Sequence, residues 1–205
     1  MKKLIAVAII FVILNIPGVS FADGPFGLTM GMTYNQIKKI DKDIMKLNIR
    51  LFYSIKTVPK PHPAFESYIV QISPTTGLSA VKGIGKNIKT SVYGLDIRNA
   101  FEDMNKALCS KYGQGKTIDR LRYGSIWNEP KDFTMSLVTK ERLLVSLWGT
   151  INGKIYSKHL PNNISKMSLS TKMTKRNVGY IILSYLFDNE IDVENELDAK
   201  NNQSL

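Results

Sequence analysis

The clearest apolar pattern in the chain runs from Tyr93 to Gly113 and predicts a helix. Its apolar side chains recur at intervals of three and four residues, so that they share one helical face: Ile97, Ala100, Phe101, Met104, Ala107, Leu108 and Tyr112. We expect Asp96 to cap the first backbone N–H groups, and Gly113 to end the helix in the left-handed conformation. One face of this helix must be buried.

A shorter helix is predicted over Tyr34 to Asp41 by its start signal. Thr33 and Gln36 have the spacing of a capping box, in which each side chain bonds a backbone N–H of the other residue. Met32 and Ile37 have the spacing of a hydrophobic staple, which fixes how the chain enters the helix.

Seven segments have the residue pattern of β-strands, alternating or continuously apolar: 49–56, 68–72, 78–84, 133–138, 143–147, 166–173 and 178–187. Turn residues at 74–77 and at Lys140-Glu141 predict hairpins, and 178–187 is apolar enough for the centre of a sheet. Strands bunched between helices predict an α+β fold, an antiparallel sheet of about seven strands with helices on one face.

The order of these elements divides the chain into similar parts. Two α-β-β-β(β) subdomains are expected, at 23–92 and 93–187, either separate or joined in one continuous sheet. The last part, 188–205, is predicted to be an acidic helix or tail.

The N-terminal 22 residues have the pattern of a secretory signal peptide. Lys2 and Lys3 precede an apolar run from Leu4 to Ile16, and small residues before Asp23 suit cleavage after Ala22. The alternative is an uncleaved anchor, but the run is shorter than the ~20 residues that span a bilayer. We therefore expect a periplasmic or secreted protein without a transmembrane anchor in its mature chain.

Charge is distributed unevenly along that mature chain. Residues 23–187 hold 25 basic and 11 acidic side chains, a net charge of +14, whereas the end from Asp188 is acidic. The positive charge of residues 23–187 indicates a protein or an anionic envelope component as partner. The alternative is that lysines accumulated by compositional drift. No basic cluster is interleaved with aromatic residues, so nucleic acid is not an expected partner, and the oligomeric state is not indicated.

Candidate catalytic chemistry is sparse. The two histidines, His62 and His159, have no ligand motif around them, and the single cysteine, Cys109, allows no internal disulfide. No cofactor or metal is predicted. The sequence favours an exported, non-enzymatic binding or envelope-associated module. The alternative is a hydrolase of an envelope polymer or secreted substrate, which convergence of His62, Glu66, Glu129 and Asp132 in one deep pocket would favour.

Two loops provide the candidate binding residues. The first, from Pro59 to Phe65, contains three prolines, so its binding would cost little ordering entropy; its candidates are Lys60, His62 and Phe65. The second, from Asp119 to Pro130, contains residue types that dominate interface hot spots; its candidates are Arg120, Arg122, Tyr123 and Trp127. The alternatives are a stiff turn for the first loop and a tryptophan that anchors the second loop to the core.

Several strings in these segments carry a resemblance to a group of small exported bacterial proteins of uncharacterised function: GPFGL at 24–28, PKPHPAFESY, ISPTTGL and GSIWNEP. The resemblance spans most of the mature chain and implies export but no activity. The helix start at Gly31-Met32-Thr33 also resembles that of the modules of β-lactamase inhibitory protein and of the small lipoprotein of the outer-membrane assembly machinery. This chain departs from both, since it lacks a lipidation cysteine and a cysteine pair, so their partners are not carried over.

Overall fold

The structure is a computed structural model that describes residues 24–151, 153–157, 160–193 and 195–196. The predicted signal peptide, the cleavage position, His159 and the end of the acidic tail lie outside the described residues.

The described residues form an α+β fold built on one antiparallel sheet, as predicted. The helices with both ends described are α1 (Tyr34–Ile40), α2 (Leu95–Tyr112) and α3 (Phe133–Val138). Ten strands follow in chain order: β1 (Met45–Lys46), β2 (Phe52–Ile55), β3 (Phe65–Ser73), β4 (Gly77–Gly85), β5 (Ile88–Lys89), β6 (Lys116–Leu121), β7 (Arg142–Ile151), β8 (Lys154–Ile155), β9 (Ile164–Lys175) and β10 (Val178–Phe187). Short 3-10 turns lie at Pro25–Gly27 and Pro130–Asp132, and residues 190–193 and 195–196 are helical.

The strands lie side by side in the order β1-β2-β3-β4-β10-β9-β7-β6, with β5 paired to β10 and β8 to β7. Strand β4 pairs with β10, so the parts of the chain before and after Val92 contribute to one continuous sheet. The apolar segment 178–187 lies near the middle of this sheet, as predicted. Three of the ten strands are two residues long. Of the seven longer strands, six were predicted from the sequence and β6 was not.

The predicted start of α1 is confirmed, whereas the predicted cap of α2 is wrong. At α1 the capping box is present, because Thr33 accepts from the Gln36 N–H while the Gln36 side chain accepts from the Thr33 N–H. At α2 the prediction for Asp96 is wrong. The residue before α2 is Gly94 with φ of 69°, and the Asp96 N–H itself donates to the Thr90 hydroxyl. Gly113 ends α2 as predicted and has a positive φ of 81°, but its ψ of 174° places it outside the predicted left-handed helical conformation.

The predicted strand at 133–138 is wrong, because this segment is α3. Its buried residues are Phe133, Thr134, Ser136 and Leu137, the spacing of a helix. Thr134 and Ser136 tolerate burial because their hydroxyls donate to the carbonyls of Val92 and Phe133. Strand β6, which pairs with β7 in place of the predicted hairpin partner, was not predicted from the sequence.

One face of the sheet carries the core. Strand register places Leu183, Val81 and Leu169 on the same face, and these residues are buried with Ile97, Phe101 and Leu108 of α2. On the opposite face, their strand neighbours such as Ile182 and Ser170 are only half-buried. The helices thus cover one side of the sheet.

The acidic segment after β10 is held against the hairpin of β3 and β4. Glu196 accepts hydrogen bonds from the hydroxyls of Ser73 and Thr75, and the Asn189 amide donates to the Thr76 carbonyl. Glu190 forms a 3.1 Å ion pair with Lys166, and Val193 is fully buried. The described part of this segment is therefore docked by specific contacts.

Burial of α2 leads to a stability prediction. Replacing Leu108, which is 5% exposed, with alanine should destabilise the protein by about 2–3 kcal/mol. This is the lower part of the range for buried leucines, because Leu108 borders an open groove on one side. Urea unfolding measures the change, and a loss below about 1 kcal/mol, typical of exposed positions, would contradict the orientation of α2.

Candidate functional site

A groove lies between α2 and the proline-rich segment 58–65, and it has two lobes. The first lobe encloses about 480 Å³ and is lined mainly by Pro25, Phe26, Lys60, Pro61, His62, Phe65, Met104, Ala107, Leu108, Lys111, Tyr112, Leu183 and Tyr185. The second encloses about 400 Å³ and is lined by His62, Ala64, Lys86, Ile88, Ala100, Asp103, Met104, Ala107 and Ile181. The lobes adjoin along His62, Met104 and Ala107.

Packed aromatic rings form the inner part of the first lobe. The Phe26 ring centroid lies 5.4 Å from that of Phe65, 4.7 Å from that of Tyr68 and 5.8 Å from that of Tyr185. Tyr185 is 5% exposed and is in contact with Tyr112, with 6.2 Å between ring centroids. Rings at these separations pack in favourable tilted and edge-to-face arrangements, so this surface is rigid.

A glycine in β4 allows these rings to lie close to the sheet. A Cβ atom at Gly83 would lie 2.9 Å from both the Phe26 and the Phe65 rings, too close for a side chain. Phe26 itself has φ of 56°, a conformation that costs energy for a bulky residue. Packing of its ring against three others offsets that cost.

Backbone hydrogen bonds hold the proline-rich segment against this cluster. The Lys60 N–H donates to the Phe26 carbonyl at 3.0 Å, and the Phe65 N–H donates to the His62 carbonyl at 3.0 Å. His62 Nδ1 accepts from the Ala64 N–H at 3.2 Å, while the His62 N–H donates to the Tyr68 hydroxyl at 3.4 Å. The loop is therefore ordered by bonds as well as by its prolines.

Helix α2 forms the opposite wall with part of its apolar stripe. Ile97, Phe101 and Leu108 of that stripe are buried, whereas Met104 is half-buried and Ala107 is exposed. The sheet therefore covers only part of the apolar stripe of α2. Its uncovered edge lines the groove.

The two buried tyrosines of the aromatic cluster, Tyr185 and Tyr68, are uncharged at physiological pH. Burial raises the pKa of the Tyr185 phenol far above its usual range, and Tyr112 raises it further. Burial also raises the pKa of the Tyr68 phenol, partly offset by the hydrogen bond from the His62 N–H. Lys60 and Lys111 are exposed at this lobe.

The first predicted group of site residues is brought together here, since Lys60, His62 and Phe65 all line the first lobe. Phe65 is 6% exposed and belongs to the core, whereas Lys60 and His62 are exposed.

The second predicted group lies elsewhere. Arg120, Arg122 and Tyr123 line a separate hollow of about 500 Å³, together with segment 140–143, which leads from α3 into β7. Arg120 is in strand β6 rather than in a loop, and Arg122 is paired with Glu141 at 3.1 Å. Trp127 is half-buried. Within the described residues, it lines neither lobe of the groove, and it lines neither the hollow at Arg120 nor the hollow at Glu129.

The carboxylates considered for catalysis do not converge on His62 in the described residues. Glu129 lines a hollow with Arg98 and Arg142, and its carboxylate is paired with Lys131 at 2.9 Å. Glu66 and Asp132 line neither lobe of the groove. Over the described ranges, no three His, Cys, Asp or Glu side chains are close enough to hold a metal ion.

Sequence reasoning missed most of the groove lining. Phe26, Met104, Lys111, Tyr112 and Tyr185 come from three distant parts of the chain. The one signal available was the breadth of the apolar stripe on α2, which contains more residues than one sheet face can bury. Cys109, beside the stripe, is half-buried against the core.

Comparison with known proteins adds no further constraint on this site. The chain matches no family model, no curated protein and no solved structure. The resemblance to small exported bacterial proteins and to the two named modules stays a prediction from the sequence.

Proposed function

We propose that this protein is an exported, non-enzymatic binding protein that holds an apolar ligand in the groove between α2 and segment 58–65. The observation that carries the proposal is the composition of the groove. Its lobes have volumes of about 480 and 400 Å³; apolar side chains form most of the lining of both, and aromatic rings line the first. Small-molecule sites have this size and this lining.

Preorganisation of the groove supports binding. Its inner surface is a packed ring cluster, and its loop wall is fixed by prolines and by hydrogen bonds at Lys60 and His62. A preformed wall loses little conformational entropy when a ligand binds.

Export and envelope location remain part of the proposal. They rest on the pattern at 1–22, where a basic start and an apolar run precede small residues. Among the described residues, no helix is long and apolar enough to cross a membrane.

Blocking the groove tests the proposal. Ala107 is exposed on α2 and lines both lobes, so the indole of an Ala107→Trp variant would fill the groove with little effect on the core. The uncharged fluorescent dye Nile red serves as an apolar probe. We expect Ala107→Trp to weaken its binding by at least about tenfold in a fluorescence titration, because a tryptophan occupies 150–250 Å² of contact surface.

The matched control is Asn99→Trp. Asn99 is exposed on the same helix and lines neither lobe, so this variant adds the same indole outside the groove. Its affinity for Nile red should equal that of the wild type. Equal affinities of all three proteins would show that the dye binds elsewhere and would overturn the proposal.

A further inference from the structure

We infer that the ligand of the groove is a single-chain anionic amphiphile, whose apolar chain lies along α2 and whose anionic head lies at the Lys111 end. This inference rests on the proposed function, and it names the chemical class of the ligand. It follows from the length of the groove, from the nature of its lining and from the placement of its charges.

The groove is elongated. Its lining on α2 extends from Ala100 to Tyr112, which at 1.5 Å per residue corresponds to about 18 Å. Along this length Met104 and Ala107 line both lobes. An apolar site of this length fits an extended chain better than a compact ring system.

The second lobe suits an alkyl chain. Besides Met104 and Ala107, its lining consists largely of the aliphatic side chains of Ala64, Ile88, Ala100 and Ile181. An extended peptide placed there would leave backbone N–H and C=O groups against alkyl side chains, and each unpaired polar group is costly. An acyl chain has no such groups.

Charge differs between the two ends. The first lobe is lined by Lys111 at its end on α2, and no carboxylate is among its described lining residues. In the second lobe Lys86 is accompanied by Asp103. The positive end is therefore the first lobe, and an anionic head is placed there by charge complementarity.

The position of Lys111 supports this assignment. Its ammonium nitrogen lies 5.1 Å from the centroid of the Tyr112 ring, within the range of a cation–π interaction that holds the charge at the rim. The nearby C-terminus of α2 carries a partial negative charge of about half a unit. The Gly113 carbonyl accepts a hydrogen bond from Trp148 Nε1 at 2.8 Å, and this donor partly neutralises the negative potential at the helix end. The full positive charge of Lys111 exceeds what remains of this half unit.

Three probes with the same twelve-carbon chain test the inference: dodecyl phosphate, dodecanoate and the uncharged dodecyl glucoside. Calorimetric titrations of the exported protein are made below micellar concentrations. We expect both anionic probes to bind about tenfold more tightly than the glucoside at low salt, with the difference shrinking as salt is added. A preference for phosphate over carboxylate would identify a single-chain phospholipid (a lysophospholipid) as the source, and the reverse would identify a fatty acid.

Charge reversal at one position separates the head site from general attraction to a basic protein. Lys111→Glu should lower the affinity for dodecyl phosphate about tenfold and leave that for dodecyl glucoside unchanged. Lys175→Glu changes net charge equally at an exposed residue outside the groove, so it should retain wild-type affinities. Retained glucoside binding also shows that Lys111→Glu is folded.

The outcomes distinguish the inference from the proposed function. If all three probes bind equally and Ala107→Trp blocks them, the anionic head is refuted while the groove remains the binding site. If Lys111→Glu and Lys175→Glu weaken dodecyl phosphate binding equally, the head site is refuted. If no probe binds, or if Ala107→Trp leaves binding unchanged, the inference and the proposed function both fall.

Discussion

Replacing Trp148 with alanine is expected to destabilise the protein by about 4–6 kcal/mol, the largest loss that we predict for a single substitution. Trp148 is fully buried on β7, and deletion of a buried aromatic side chain typically costs about 3–5 kcal/mol. Its indole N–H also donates to the Gly113 carbonyl at 2.8 Å. Leaving that acceptor unpaired adds roughly 1 kcal/mol.

Close packing around the indole supports the upper part of this range. A Cβ atom at Gly115 would lie 2.4 Å from the Trp148 ring, so the chain after α2 runs directly over the indole. The ring thus joins β7 to the end of the helix that forms the groove wall. The cavity left by alanine would be enclosed by backbone that cannot easily collapse.

Urea unfolding of wild-type, Trp148→Ala and Trp148→Phe proteins measures these contributions. Phenylalanine keeps most of the packing and removes the donor, so its loss should be about half that of alanine or less. A loss below about 1 kcal/mol for Trp148→Ala would contradict the position of this side chain in the core.

Replacing Asp41 with alanine is expected to cost about 3–4 kcal/mol, because one carboxylate accepts three backbone hydrogen bonds. Asp41 follows α1 and is 5% exposed. Its oxygens accept from the N–H groups of Asp43, Lys56 and Thr57, the last two at the end of β2. Alanine would leave three N–H groups without this partner and would remove the link between the end of α1 and the residues after β2.

The effect of Asp41 depends on pH in a defined direction. Burial by itself would raise the pKa of the Asp41 carboxyl, but the three backbone N–H groups outweigh it, so the pKa lies below its usual value near 3.8. A group with a lowered pKa in the folded protein stabilises it fully above the unfolded pKa. That contribution is lost as pH falls through the folded pKa.

Asp41→Asn isolates the charged part of this interaction, since the amide keeps one acceptor oxygen. The difference in unfolding free energy between wild type and Asp41→Asn should be constant above about pH 5 and should narrow below about pH 4. Chemical denaturation at a series of pH values measures it. A difference that widened on acidification would show that the carboxylate is not stabilised in the folded state.

The fold was predictable where local signals agreed with the tertiary environment. The capping box at Thr33 and Gln36 and the three-and-four period of α2 both led to the correct element. The error at 133–138 has a physical cause. The alternating apolar and polar pattern of 133–138 predicted that Thr134 and Ser136 are exposed. In the structure both are fully buried on a helix, because their hydroxyls are hydrogen-bonded. The helix-start signal, Pro130 after Glu129, was present in the sequence.

The candidate site was predictable in part, for a similar reason. Lys60, His62 and Phe65 belong to one proline-rich segment, which stands out without any knowledge of the fold. Phe26 and Tyr185 are 159 positions apart in the chain, and their contact depends on the pairing of β4 with β10. No local pattern contains that information.

The location of a bound ligand is the most direct test of the account. Met104 lines both lobes of the groove, whereas Met45 is 57% exposed on β1 and lines neither. In methyl-labelled methionine NMR, titration with dodecyl phosphate should shift the Met104 resonance in a saturable manner and leave Met45 in place. If the ligand binds while Met104 does not move, or if Met45 shifts as much as Met104, then the groove between α2 and segment 58–65 is not the binding site.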